Sequence, residues 1–244
     1  MRLLNVHTIS FKDFRINPPK YAIASHRWIE DHEVSLQDME DGRRQESAGY
    51  HKVLGFREFT RKNIECIDWV WVDTCCIDNP NPSELSEAIN FMFEWYRNAH
   101  ICLAYLPDVS APTNVQEMWM SDWFKRGWTL QELLAPRTVI FRARDWRVVG
   151  YKGQIPERSF GRKLHTCVLL EFDIARITSI PEAVLHDYEK SRGLSVEQKL
   201  GWMANRATSR PEDTSYCLLG ILNAKMVVNY GEGRDERGSV HLKM

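Results

Sequence analysis

Residues 69–106 read WVWVDTCCIDNPNPSELSEAINFMFEWYRNAHICLAYL. Trp69-Val70-Trp71-Val72 is short and rich in β-branched and aromatic residues, the composition of a buried strand. Asp73 to Pro82 is turn-forming. Asn81 can cap a helix, Pro82 suits its first position, and Glu84 follows three residues after the cap. From there Leu85, Ala88, Ile89, Met92, Tyr96 and Ala99 form one apolar stripe at helical spacing. Ile101 to Leu106 is apolar again and closes at Pro107, which predicts a second strand. A strand, a helix over 82–98 and a strand in this order form a βαβ unit, and such units build parallel sheets.

The same alternation extends in both directions. Upstream, Tyr21-Ala22-Ile23-Ala24-Ser25 is a short apolar run after Asn17-Pro18-Pro19, and residues 51–67 carry a weaker helical pattern. Residues 30–50 are polar and acidic, with Asp41-Gly42 as a turn, and read as a loop. Leu3 to Val6 is a further short strand. Downstream, Ser121 to Leu134 reads as one helix ending before Pro136, with Gly127 an unfavourable residue inside it. Thr138 to Phe141 is another strand. The expected fold is therefore α/β, a mostly parallel sheet flanked by helices. After about residue 150 the alternation stops. Glu182–Leu185, Val196–Asn205 and Glu212–Leu222 read as helices, with Ser195 and Thr208-Ser209-Arg210-Pro211 as cap and turn signals. This gives an α/β core over 1–150, a helical continuation over 151–233 and a charged tail over 234–244 expected to be disordered.

Composition excludes several classes. The 244 residues are 43% hydrophobic and 27% charged, ordinary for a globular chain. A net charge of −1 with both signs interspersed does not indicate a basic nucleic-acid face. No apolar run approaches the roughly 20 residues of a membrane span, and the N-terminus lacks the apolar stretch of a signal peptide. The six cysteines show no C-x-x-C spacing. That argues for a reducing, cytoplasmic setting and against a zinc site.

In open parallel sheets ligands bind beyond the carboxyl ends of the strands. Three segments should converge there: Ser25-His26-Arg27-Trp28, the turn from Asp73 to Asp78, and Trp128-Thr129-Leu130-Gln131-Glu132-Leu133. Ser25 and Asp73 can equally do no more than cap the next turn, and His26 can be a structural histidine. Glu132 stands among apolar neighbours, where a carboxylate needs a partner or a cleft; an exposed helix-face glutamate is the plain alternative. Arg27 and Arg126 are possible anion contacts. Cys75 or Cys76 with His26 would make a cysteine hydrolase, though nothing nearby in sequence lowers a thiol pKa.

Three long motifs then carry a resemblance: residues 21–28 (YAIASHRW), residues 70–78 with 83–90 (VWVDTCCID and SELSEAIN), and residues 126–136 (RGWTLQELLAP). With shorter matches at 203–206, 212–221 and 230–233, the chain resembles the heterokaryon incompatibility (HET) domain of filamentous fungi. It departs at Arg27, where threonine is common, and after Gly233, where the family continues into an apolar helical stretch. The resemblance implies an intracellular non-self-recognition module that triggers regulated cell death. It also implies an upstream sensor protein and self-association. HET domains are in turn distantly similar to Toll/interleukin-1 receptor (TIR) domains. The motif from Trp128 to Glu132 looks like the tryptophan-to-glutamate motif of TIR enzymes, which cleave the nicotinamide–ribose bond of NAD. That similarity implies a TIR-like, flavodoxin-like fold and a catalytic Glu132. Ser25, His26, Arg27, Trp28, Asp73 and Trp128 would bind substrate, with NAD as substrate and no other cofactor. A self-associating adaptor without enzymatic activity is the alternative.

Overall fold

A computed structural model describes residues 1–110, 115–155 and 167–231. Seven strands form one sheet: β1 (Arg2–Asn5), β2 (Phe11–Asp13), β3 (Ala22–His26), β4 (Trp69–Trp71), β5 (Ile101–Tyr105), β6 (Thr138–Arg142) and β7 (Val148–Gly153). Their order is β2-β1-β4-β3-β5-β6-β7. β4, β3, β5 and β6 run parallel, while β1, β2 and β7 are antiparallel additions at the edges. β3 and β6 are buried along their whole length, as expected of strands covered on both faces. The α/β reading is correct, and the sheet also holds β2 and β7, which were not expected from sequence.

Within the parallel set the chain goes from β3 to β4, then crosses back over β3 to β5. Right-handed crossovers in opposite directions put the linking helices on opposite faces. α1 (Leu36–Glu40) and α2 (Ala48–Asn63) lie in the first crossover. Phe56 of α2 packs against the His26 ring at 5.6 Å. α3 (Asp73–Cys76) and α4 (Pro82–Asn98) lie in the second. Tyr96 of α4 packs on Trp71 at 5.8 Å and donates to the Ala24 carbonyl at 2.7 Å. β3 is thus the switch-point strand, whose carboxyl end borders a ligand crevice in folds of this topology.

Local chemistry explains where the elements differ from expectation. α1 lies inside the segment expected to be loop: Ser35 and Asp38 form a reciprocal capping box, enough to start a short helix. Gly42 does form the anticipated turn, with φ at +65°. α4 keeps its expected bounds, and Asn81 accepts from the amides of Ser83 and Glu84. The expected helix over 121–134 is broken. A 3-10 turn at Asp122–Lys125 is followed by an extended Arg126, and α6 covers only Thr129–Leu134. α5 (Val115–Met120) precedes it.

Beyond β7 come α7 (Glu171–Thr178), α8 (Glu182–His186), α9 (Val196–Gly201) and α10 (Asp213–Tyr216). Leu170, Ile174, Val184, Leu185, Met203 and Ile221 join the same buried cluster as the strands. Met226, Val228 and Tyr230 pack with Tyr216 and Leu219 near α4. Residues 234–244, expected to be a disordered tail, lie outside the described residues.

Candidate functional site

Adjacent residues of a strand point to opposite faces of a sheet, so Ser25 and His26 at the end of β3 serve two different clusters. On the α4 and α6 face, Ser25 Oγ donates to Glu132 Oε2 at 2.5 Å and accepts from Trp123 Nε1 at 2.9 Å. Tyr96 also lies within hydrogen-bonding reach of Glu132. Ser25 is fully buried and Glu132 is only 5% exposed. Burial raises the Glu132 carboxyl to about 8, and the Asp73 charge adds to the rise; the Ser25 bond, Arg126 and Arg206 oppose it. At neutral pH Glu132 is therefore mostly protonated. Tyr96 Oη donates its own hydrogen to the Ala24 carbonyl.

On the α2 face, His26 Nε2 meets Asp73 Oδ1 at 2.9 Å, while Trp28 Nε1 donates to Asp73 Oδ2 at 2.7 Å. The Thr74 amide donates to Asp73 Oδ1. Burial alone would raise Asp73, but the His26 charge and bond and the Trp28 bond hold it below the usual carboxylate range. Lys52 from α2 pins the intervening loop, donating to Glu33 Oε1 at 2.5 Å and to the Arg27 carbonyl at 3.1 Å. The same Glu33 oxygen accepts the Ile29 amide. Burial depresses Lys52, with Glu33 opposing.

The three segments expected to converge do meet at the end of β3, but as two hydrogen-bonded clusters, Ser25 with Glu132 and His26 with Asp73. The remaining sequence-derived candidates lie apart. Trp128 is half-buried, hydrogen-bonds Asp213 and packs against the cluster around Tyr216. Arg27 is exposed and pairs with Asp122 at 2.7 Å. The two cysteines of α3 are buried. The bond to Cys76 and burial push the Cys75 thiol well up, and His26 is committed to Asp73. This arrangement removes the basis for a cysteine nucleophile.

An open groove of about 290 Å³ is lined by Arg27, Asp122, Lys125, Arg126 and residues 207–209; Ser25 and Glu132 do not line it, and Arg126 is the wall residue whose charge acts on Glu132. The groove's lining segments are joined by a short parallel bridge between Arg126 and Ala207. The Gly127 amide donates to Ala207 O at 2.9 Å, and the Ala207 amide to Lys125 O at 2.7 Å. Arg206 Nη1 donates to Arg126 O and to Thr129 Oγ1, both at 2.8 Å. Burial lowers Arg206 to about 10.

Trp123, Asp122, Lys125 and Arg206 were not anticipated as site residues. Trp123 and Asp122 lie just before a motif that was read, and the indole is the only polar atom of its side chain, so its burial requires an acceptor. Arg206 closes the short family match at 203–206, but its contact with Arg126, 80 residues away, had no signal in the sequence. Among the described residues no group of three or more His, Cys, Asp or Glu could hold a metal ion. No helix there is long and apolar enough to cross a membrane.

The family described as heterokaryon incompatibility protein (HET) matches residues 21–118. The vegetative incompatibility protein HET-E-1 of Podospora anserina is 39% identical over 228 residues, which is 89% of this chain and 15% of that protein. No solved structure matches the chain significantly. With the strand ends at Ser25 and Asp73 inside the matched region, and the likeness to the incompatibility protein running through most of the chain, the chain belongs to the HET domain family.

Proposed function

We propose that the chain is the effector domain of a non-self-recognition protein, and that it triggers cell death by hydrolysing NAD at the nicotinamide–ribose bond. The observation that carries this is the Glu132–Ser25 pair, a titratable carboxyl group at the carboxyl end of the switch-point strand, acted on by the charge of Arg126, which also lines a cationic groove. A carboxyl group with a strongly perturbed pKa beside a cleft is where chemistry is expected. The likeness of the Trp128–Glu132 segment to the TIR motif supports the same glutamate.

In the hydrolysis the C–N bond breaks with its electron pair going to the nicotinamide nitrogen, which leaves as a neutral group. Ionised Glu132 stabilises the oxocarbenium-like sugar and orients it through a ribose hydroxyl. Water oxygen then bonds to the anomeric carbon and its proton passes to solvent. Ser25 holds the carboxyl group in place. Glu132 works as an anion, yet burial keeps it mostly neutral at pH 7. The lone chain is accordingly a resting form, and self-association driven by an upstream sensor exposes or recharges the carboxyl group.

A second reading, a non-enzymatic signalling adaptor, is favoured by the burial of Glu132 itself, since a buried carboxyl group hydrogen-bonded to Ser25 can be purely architectural. Nicotinamide release from NAD, followed at increasing protein concentration for wild type and Glu132→Gln, separates the two. Enzymatic function predicts release that grows faster than linearly with concentration and is lost in the variant. Equal background release from both supports the adaptor.

A further inference from the structure

The groove contains its own substitute for an anion. Asp122 accepts from Arg27 through Oδ2 at 2.7 Å and from Lys125 through Oδ1 at 3.1 Å. Those bonds, with burial opposing, hold Asp122 below the usual carboxylate range. Arg126 extends the same wall and donates to Ser209 Oγ at 3.2 Å. Ser209 accepts that bond on oxygen, so its own O–H remains available as a donor. Behind the wall Arg206 adds a further positive charge, and its Nη2 has no hydrogen-bond partner.

Three cationic side chains and a hydroxyl therefore face one carboxylate in a volume of about 290 Å³. A carboxylate supplies one negative charge and two oxygens, which Arg27 and Lys125 already use. Arg126 and Ser209 are left with neutral partners. A diphosphate brings more charge and enough oxygens for all four, and arginine and lysine side chains are the usual donors to such groups.

We propose that this groove binds the diphosphate of a nucleotide through Arg27, Lys125, Arg126 and Ser209, with Asp122 competing for the first two. The diphosphate is taken to be that of the dinucleotide named above, so the ligand's identity rests on the Glu132 reading while the anion site does not. Arg126 links the two regions, since its charge acts on Glu132 as well as lining the groove.

The test is calorimetric titration of the whole chain with inorganic pyrophosphate, using wild type, Lys125→Ala, Asp122→Asn and Glu132→Gln. Wild type should bind. Lys125→Ala should bind about tenfold more weakly, the scale of one lost charge contact. Asp122→Asn, nearly isosteric, should bind several-fold more tightly because the competitor is gone. A protein that contributed only a surface charge cloud would instead show parallel, small changes in both directions. Folded wild type that does not bind, or an Asp122→Asn variant that binds no better, overturns the proposal. Glu132→Gln should bind pyrophosphate like wild type. If it does and no nicotinamide is ever released, the groove stands and the hydrolysis reading fails. If nicotinamide is released but pyrophosphate does not compete and Lys125→Ala leaves KM unchanged, the groove fails and hydrolysis stands.

Discussion

Glu132 and Asp73 are two carboxyl groups near one strand end, and their surroundings push them in opposite directions. Glu132 is raised from 4.5 to about 8 by burial. The folded state thus holds a proton that the unfolded chain releases, and the linked stability is complete below about 4.5 and lost as pH rises through about 8. Glu132→Gln has no such proton, so denaturant unfolding should show its stability relative to wild type improving steadily from pH 5 to 8. The slope should approach about 1.4 kcal/mol per pH unit. A difference that does not vary with pH would show that Glu132 is not neutral in the fold. Asp73 behaves in the opposite sense: its lowered pKa gives stability that is present above the unfolded value and lost as pH falls through the folded one. Asp73→Asn should cost about 1–3 kcal/mol at neutral pH, since it weakens the bonds to His26 and Trp28. The cost should shrink in acid, and Trp28 fluorescence should change in the variant at neutral pH.

At the scale of elements, what was legible followed local rules. The helix at Pro82–Asn98 carried its cap, its proline and its stripe within one window, and the strands at Ala22, Trp69, Ile101 and Thr138 were apolar runs between turn formers. α1 was missed because five residues carry no periodicity, although Ser35 and Asp38 already formed its capping pattern. β2 and β7 were missed because short antiparallel edge strands depend on their partners more than on composition. The helix over 121–134 was overextended for a reason visible only in three dimensions. A Cβ at Gly127 would sit 2.4 Å from Thr208 Cγ2, so this glycine lets residues 207–208 close on the chain at the helix break. Gly127→Ala should destabilise by about 1–3 kcal/mol, on the scale of overpacking. Adding Thr208→Ser, which removes the clashing methyl group, should restore a measurable part of that loss in a double-mutant cycle. An additive pair would show that this contact is not the constraint. The grouping of the candidate residues was legible to the same degree: Ser25, His26, Asp73 and Glu132 were expected near one strand end, but their division between two faces needed the crossover at β3.

Across the whole molecule, the segment after residue 150 belongs to the same core as the sheet. Leu170, Ile174, Ile180, Val184, Leu185, Met203 and Ile221 are buried with the strand residues. At roughly 1.5–3 kcal/mol per buried side chain, they contribute as much as the about 5–15 kcal/mol that holds a typical domain folded. A chain ending at residue 154 should therefore show no cooperative unfolding transition by circular dichroism. A sharp transition would mean that the sheet is self-sufficient. The same wrapping brings Arg206 against Arg126 and Thr129, and its charge opposes the rise that burial imposes on Glu132. The most direct test of the role proposed for Glu132 is the pH dependence of nicotinamide release from NAD, measured on assembled wild type and on Glu132→Gln. Ionisation of Glu132 as the activating step predicts that wild-type turnover rises with pH as the carboxyl group ionises and then levels off, with the variant at background throughout. Equal turnover by the two proteins at every pH would contradict it.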